Sequence, residues 1–224
     1  MEVSSLFRPQ IKIEQGLVTQ FNPPVNRFHF SKKNDLVLFE GKEPSFNWSS
    51  YADCIFRVAA MTHVSMIYFI GSVGGMVPHT REPRLLSSVS HPRLKPDLET
   101  NGLGFTDYEG PGSIVSYMVA RAEGRGLDMA TVVAEIPPYV QGRNVKCIES
   151  MMRKLTGILG LPIDLEALRT LSDQLEKRLN KIIEQRPELV EHIRKLEEDY
   201  DNEVFDTQMG DLKEYLEQQG IRLD

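Results

Sequence analysis

Cysteine is nearly absent. Cys54 and Cys147 are the two in 224 residues, too few for a disulfide framework or a zinc ribbon. A reduced, cytoplasmic protein is the expectation. Long apolar runs are missing too: none approaches the ~20 residues needed to cross a bilayer. The opening MEVSSLFRPQ has neither the basic start nor the apolar stretch of a secretion signal. Positive charge is scarce in the last quarter. Residues 161–224 carry 9 Lys+Arg against 17 Asp+Glu, a formal −8, whereas residues 1–160 carry 17 against 15. Such an acidic segment argues against nucleic acid or an anionic membrane as its partner. No internal repeat or low-complexity tract appears.

What is there suits one good-sized soluble domain with an appendage. Hydrophobic content is 41% and charged content 26%, both ordinary for a globular chain. Ile11, Ile13, Leu17 and Val18 could form short strands before the break Asn22-Pro23-Pro24. Asp35–Glu40 reads as a strand. A helix is predicted over roughly Trp48–Thr62, with Tyr51, Ile55, Val58 and Ala59 on one face and Cys54 as a packing residue. Arg84–Ser90 reads as a short strand, and Ile114–Gly124 as a helix with Ser113 as its N-cap. Met129–Ile136 is a second apolar strand, followed by a helix over Val145–Leu159. This alternation predicts a three-layer α/β/α domain with a largely parallel central sheet over residues 1–160. Met66–Ile70 and Met129–Ile136 lack the alternation of half-exposed strands and are expected at the sheet's centre.

After Pro162 a three/four spacing of apolar residues with charge between them predicts a helical segment over 161–224. Pro187 should start a new helix there. Leu175, Leu179, Ile182, Leu189, Ile193 and Leu196 form a narrow seam that needs something to pack on, within the chain or in another copy of it.

The stretch SMIYFIGSVGGMVPHTREPR (65–84) organises the candidate chemistry. A buried strand ends in Gly71-Ser72-Val73-Gly74-Gly75, where backbone must turn tightly or approach something closely. It is neither a dinucleotide fingerprint nor a P-loop. His79 could move a proton and Arg81 could hold an anion; the structural alternative pairs Arg81 with Glu82, Glu109 or Glu135. Glu109 and Ser113 precede a helix whose free amides could bind an anion, or be capped by those two residues themselves. Glu135 ends a buried strand. Gly71, Gly74, Gly75, His79, Arg81, Glu109, Ser113 and Glu135 are therefore the candidate lining of one cleft at the carboxyl edge of the sheet. They show no nucleophile–base pairing and no metal spacing, so no catalytic residue, cofactor or metal is assigned.

The runs IYFIGSVGGMVPHTREPR, YEGPGS, AEIPPYVQGRN and LEEDYDNEVF resemble the archaeal and bacterial branch of the proteasome assembly chaperone 2 family, from about Asp35 to the C-terminus. The resemblance implies a fold similar to the purine nucleoside phosphorylase class. It also implies a homo-oligomer, for which a trimer is our expectation, and a proteasome or other protein partner. Archaeal relatives engage the proteasome through a tail of hydrophobic residue, tyrosine, any residue; this sequence ends Arg222-Leu223-Asp224. Members are also labelled ATP-grasp-like, yet no glycine-rich phosphate loop or acidic metal pair is present here. The expected function is a non-catalytic oligomeric interaction protein. The alternative is an enzyme or small-molecule binder, for an anion or nucleotide, on a phosphorylase-like scaffold.

Overall fold

A computed structural model describes residues 10–22 and 25–218. The chain is mixed α/β. Two antiparallel ribbons come first: β1 (Gln10–Glu14) with β2 (Leu17–Asn22), and β3 (Arg27–Ser31) with β4 (Leu36–Glu40). Then follow α1 (Trp48–Met61), β5 (Met66–Gly74), β6 (Leu85–Ser87), α2 (Lys95–Thr100), β7 (Gly104–Phe105), α3 (Ile114–Ala122) and β8 (Asp128–Ile136). Three helices end the chain: α4 (Val145–Leu159), α5 (Glu166–Ile183) and α6 (Pro187–Gln218). Pro187 opens α6 as its first residue, where a missing N–H costs nothing.

The four-stranded sheet has the order β5-β8-β6-β7. β5 and β8 run in the same direction: Asp128 donates to the Ser65 carbonyl at their starts, and Gly75 to the Ile136 carbonyl at their ends. β6 runs the other way, pairing Leu85 with Ala134 and Leu86 with Val133. The sheet is thus mixed, and the expected largely parallel order gives way where the short chain segment from Arg84 turns straight back along β8. β8 sits inside the sheet and is buried through Met129–Val132. β5, expected at the centre, is an end strand of this sheet, and its residues are only half-buried or exposed.

By packing, the chain divides into two units: residues up to Phe69 with Ser88–Asp97 and Phe105–Thr131, and Ile70–Ser87 with Leu98–Gly104 and Val132–Asp224. In the first unit, α1 and α3 pack through Tyr51, Ala52, Phe56, Ile114 and Met118, with Met129 of β8 beneath them. Cys54 lies on the exposed side of α1, not on the apolar face predicted for it. Ser113 caps α3 in a reciprocal box with Ser116.

In the second unit, α4 packs against α5. Asn144 caps α4 by accepting from the Cys147 N–H at 3.2 Å, and Gly160 closes it in the left-handed conformation at φ 61°. Leu196 is the one seam residue that is fully buried. Leu175, Leu179 and Ile193 are half-buried, while Ile182 and Leu189 stay exposed.

Candidate functional site

The candidate site lies in the second unit and grows from β5. The strand does not stop at Ile70: it continues through Gly71 to Gly74, so the predicted glycine turn is extended backbone. What demands glycine is Gly75. A Cβ there would stand 2.9 Å from Cβ, Cδ and Oε1 of Glu135, whereas one on Gly74 would meet nothing. Gly75 lets β5 lie against the Glu135 side chain of β8.

Beyond Gly75 the chain forms the loop Met76–Arg84, and its polar side chains turn onto α4, α5 and α6. His79 is buried at 4% exposure. Its N–H donates to the Tyr139 hydroxyl at 2.9 Å, its Nδ1 meets the same hydroxyl at 2.9 Å, and its Nε2 meets Asn180 Oδ1 at 2.9 Å. Asn180 Oδ1 only accepts, so Nε2 carries the proton and Nδ1 accepts from Tyr139. Burial pushes the His79 pKa below its ordinary value and the Tyr139 pKa above its own. Lys146 donates to the His79 carbonyl at 2.7 Å and pairs with Glu176 at 2.5 Å.

The rest of the loop meets α6. Thr80 donates to Glu197. Arg81 makes a bidentate pair with Asp201, 2.8 and 2.7 Å, and reaches Glu197 at 3.5 Å. That hydrogen bonding holds the Asp201 carboxyl below the ordinary range. Glu82 pairs with Arg153 and accepts from Ser150 at 2.8 Å, and its carbonyl accepts from the Tyr200 hydroxyl at 2.8 Å. Arg84 pairs with Glu203 and lies 5.1 Å from the centre of the Tyr200 ring. Arg84 Nε and Glu135 Oε2 stand 2.9 Å apart as buried opposite charges, without a hydrogen bond aligned between them.

Of the eight residues read as one cleft, His79, Arg81 and Glu135 line a common cavity, and Gly75 abuts Glu135. The cavity holds about 10 Å³, room for one water. Gly71 and Gly74 belong to the strand. Glu109 and Ser113 lie in the first unit. There Glu109 is exposed, Ser113 accepts from the Ser116 N–H, and Glu43 accepts from the Ile114 N–H at 2.9 Å, so the start of α3 is already capped. Arg81 is ion-paired, as in the structural alternative to anion binding, but with Asp201 and Glu197 rather than Glu82, Glu109 or Glu135; the two stand one helical turn apart on α6 and so present two carboxylates to one guanidinium.

The sequence reading missed Asn180, Glu197, Tyr200, Asp201 and Glu203. One signal was present: the run LEEDYDNEVF holds four of them and, read as a helix, puts Glu197, Tyr200 and Asp201 on one side.

Chemically, this arrangement is a clasp. Both His79 ring nitrogens are engaged, Cys147 is buried and its thiol is pushed up to about 11 by that burial, and every polar side chain from His79 to Arg84 has a partner in the chain. Among the described residues, no group of three or more His, Cys, Asp or Glu could hold a metal ion, and no helix is long and apolar enough to cross a membrane.

A family model described as the PAC2 family matches residues 1–183, most of the chain. The chain belongs to the PAC2 family. The match begins earlier than the resemblance read from Asp35 and ends before α6, so the helix that clasps the loop lies beyond it. No curated protein matches. Among solved structures, the chain is similar to a PAC2 family protein from Streptomyces avermitilis, at 24% identity and TM-score 0.70 over 86% of this chain and 84% of the other. It is equally similar to a proteasome-assembly chaperone homologue from Mycobacterium tuberculosis, at 24% and 0.70 over 83% and 80%. An archaeal proteasome activator from Pyrococcus furiosus matches at 20% and 0.57 over 79% and 78%. At these identities the likeness establishes the fold.

Proposed function

We propose that this chain is a non-catalytic, homo-oligomeric interaction protein whose partners are proteins, proteasome components first among them. One observation carries the reading. The loop that would have to supply the chemistry, His79–Arg84, has its polar groups taken up by the chain's own α4, α5 and α6. With Nδ1 held by Tyr139 and Nε2 by Asn180, the His79 ring has no nitrogen left for substrate. Support for the partner class comes from the PAC2 family and from the names of the mycobacterial and archaeal neighbours.

In this reading the fold is completed as a three-layer α/β/α arrangement, residues 161–224 form an acidic appendage to it, and the protein acts in the cytoplasm without nucleic acid or membrane. A trimer is the expected assembly. The seam residues left exposed on α5 and α6, Ile182 and Leu189, would serve contacts between chains.

The test is direct binding of the purified chain to proteasome core particles from its own source, followed by sedimentation and native mass spectrometry. Co-sedimentation with a fixed stoichiometry is expected. Absence of binding to both core particles and free α-subunits, together with a saturable rise in melting temperature for one nucleotide or carboxylate in a broad screen, would overturn the reading.

A further inference from the structure

In the first unit, α1 and α3 leave an open groove between them. It holds about 260 Å³, against the single water of the cavity beside His79. That is just under the ~300–1,000 Å³ of ordinary small-ligand pockets. Ser49, Asp53 and Phe56 line it from α1, at the i, i+4, i+7 spacing that puts side chains on one helix face. Tyr117 and Arg121 line it from α3, and Gly124 and Arg125 from the helical turn Glu123–Arg125 that follows.

Two guanidiniums stand over aromatic rings here. The Arg121 Cζ lies 5.4 Å from the centre of the Tyr117 ring, and the Arg125 Cζ lies 5.7 Å from that of the buried Phe56. A ring positions a guanidinium without neutralising it. Asp53 pairs with Arg125 and balances one of the two charges. Arg121 makes no ion pair among the described residues, so the groove keeps a net positive charge. The start of α1 adds to it. No side chain caps that end and its first turn holds no acidic residue, so the positive pole of the helix is not offset beside Ser49.

Gly124 points the same way. It has no positive φ, and a Cβ added to it would meet nothing within 4 Å. Neither conformation nor packing demands glycine there, although glycine weakens a helical turn. What its missing side chain leaves is the space of the groove.

We infer that this groove binds a phosphate monoester. A carboxylate is satisfied by one guanidinium, as Asp53 is by Arg125. A phosphoryl group offers three acceptor oxygens and up to two charges, which suits two guanidiniums and the Ser49 hydroxyl lining one groove. Small metabolites and phosphorylated protein side chains carry the same head group. The inference goes beyond the proposed function: it gives the first unit a ligand and assigns no chemistry to the loop His79–Arg84.

The experiment is isothermal titration calorimetry of the full chain with phenyl phosphate and with a capped Ala-phosphoserine-Ala peptide. Ionic strength is held fixed, and benzoate serves as the carboxylate control. Wild type is compared with Arg121→Gln, Gly124→Leu and Arg57→Gln. Arg57 is exposed on α1 outside the groove, so Arg57→Gln removes the same charge without touching the site. Saturable binding of a phosphate ester is expected, weakened roughly tenfold or more in Arg121→Gln and in Gly124→Leu and unchanged in Arg57→Gln. Arg121 and Gly124 are both exposed, and melting curves without ligand check that the two variants fold. Tighter binding of phenyl phosphate assigns the groove to a small ligand, and tighter binding of the peptide assigns it to a phosphorylated protein. Absence of saturable binding for both esters overturns the inference. Equal binding of benzoate, or equal weakening in Arg57→Gln, overturns it too, since either reduces the groove to a patch of charge. None of these outcomes bears on binding to proteasome components, so the proposed function stands or falls separately.

Discussion

Arg81 grips Asp201 with two parallel hydrogen bonds, Nε to Oδ1 at 2.8 Å and Nη2 to Oδ2 at 2.7 Å, across 120 residues of sequence. Planar guanidinium against planar carboxylate is the geometry in which an ion pair orients its partners as well as attracting them. It fixes α6 over the loop that follows β5. Both groups are partly open to water, so salt should weaken the clasp. Arg81→Ala is therefore expected to raise hydrogen exchange over residues 195–205 while leaving β8 protected, and to remove most of the salt dependence of that exchange. Arg81→Lys should restore only part of it, because an ammonium cannot make the bidentate pair. Unchanged exchange in Arg81→Ala would reduce the pair to surface decoration.

The pH dependence of stability should carry the mark of His79. Its folded pKa lies below the ordinary value of about 6.5. Below that value the unfolded chain takes up a proton that the folded chain resists, so stability falls as the pH drops from about 6.5 toward the folded pKa. The groups around the ring are Tyr139 and Asn180 by hydrogen bond and Glu176, Lys146 and Glu197 by charge. Chemical denaturation at pH 7.5 and 5.5 should show the loss, and His79→Gln should show less of it. An NMR titration of the ring that returned a pKa above 6.5 would contradict the burial argument.

Gly75 and Gly74 make a matched pair. Gly75→Ala thrusts a methyl into the Glu135 side chain and strains the Glu135–Arg84 ion pair, at a cost of ~1–3 kcal/mol for overpacking. Gly74→Ala enters open space and should change stability by less than ~0.5 kcal/mol. Equal effects in urea unfolding would mean that the close approach of β5 to Glu135 is not what selects glycine.

These particulars show what the sequence carried and what it withheld. β8 was legible because its apolar run is of strand length, holds Thr131, Val132 and Val133 together, and lacks the alternation of a half-exposed strand. The start of α6 was legible because Pro187 cannot continue a helix, and Ser113 announced its own cap. The glycine run was ambiguous for a physical reason: glycine signals either an unusual φ or a close neighbour, and the neighbour, Glu135, is 60 positions away. The partners of Arg81 and Arg84 were hidden in the same way. Any of several carboxylates satisfies a guanidinium chemically, and only the packing of α6 chooses Asp201 and Glu203 over Glu82 and Glu109. The direction of β6 was equally out of reach, since three residues carry no sign of which way their neighbour runs.

The two cysteines should separate cleanly. Cys54 is exposed on α1, whereas Cys147 is buried at the start of α4 with its thiol raised to about 11. The thiolate is the reactive form. A maleimide should label one thiol per native chain within minutes and the second only in denaturant, with peptide mapping assigning the first to Cys54. Rapid labelling of Cys147 in native protein would mean that the cavity beside His79 opens on that timescale.

The last prediction concerns how much of the fold depends on α5 and α6. In a fragment ending at residue 160, His79 loses Asn180, Arg81 loses both of its carboxylates, and Arg84 keeps only Glu135. Lys146 keeps the His79 carbonyl but loses Glu176. The cavity wall formed by Leu175 and Leu179 is removed from Val77 and Cys147. The interior of α4 and β8 remains, with Met151, Leu155, Val132 and Ala134 contributed by the fragment itself. The fragment should therefore still unfold cooperatively, at a lower midpoint, and bind a hydrophobic dye that the full chain excludes. Within the full chain, Leu196→Ala should cost ~2–5 kcal/mol as a buried leucine. Ile182→Ala should cost little unless another copy covers it. A fragment that lost cooperative unfolding altogether would make α5 and α6 part of the core rather than an appendage, and Leu196→Ala with no effect on the full chain would argue the reverse.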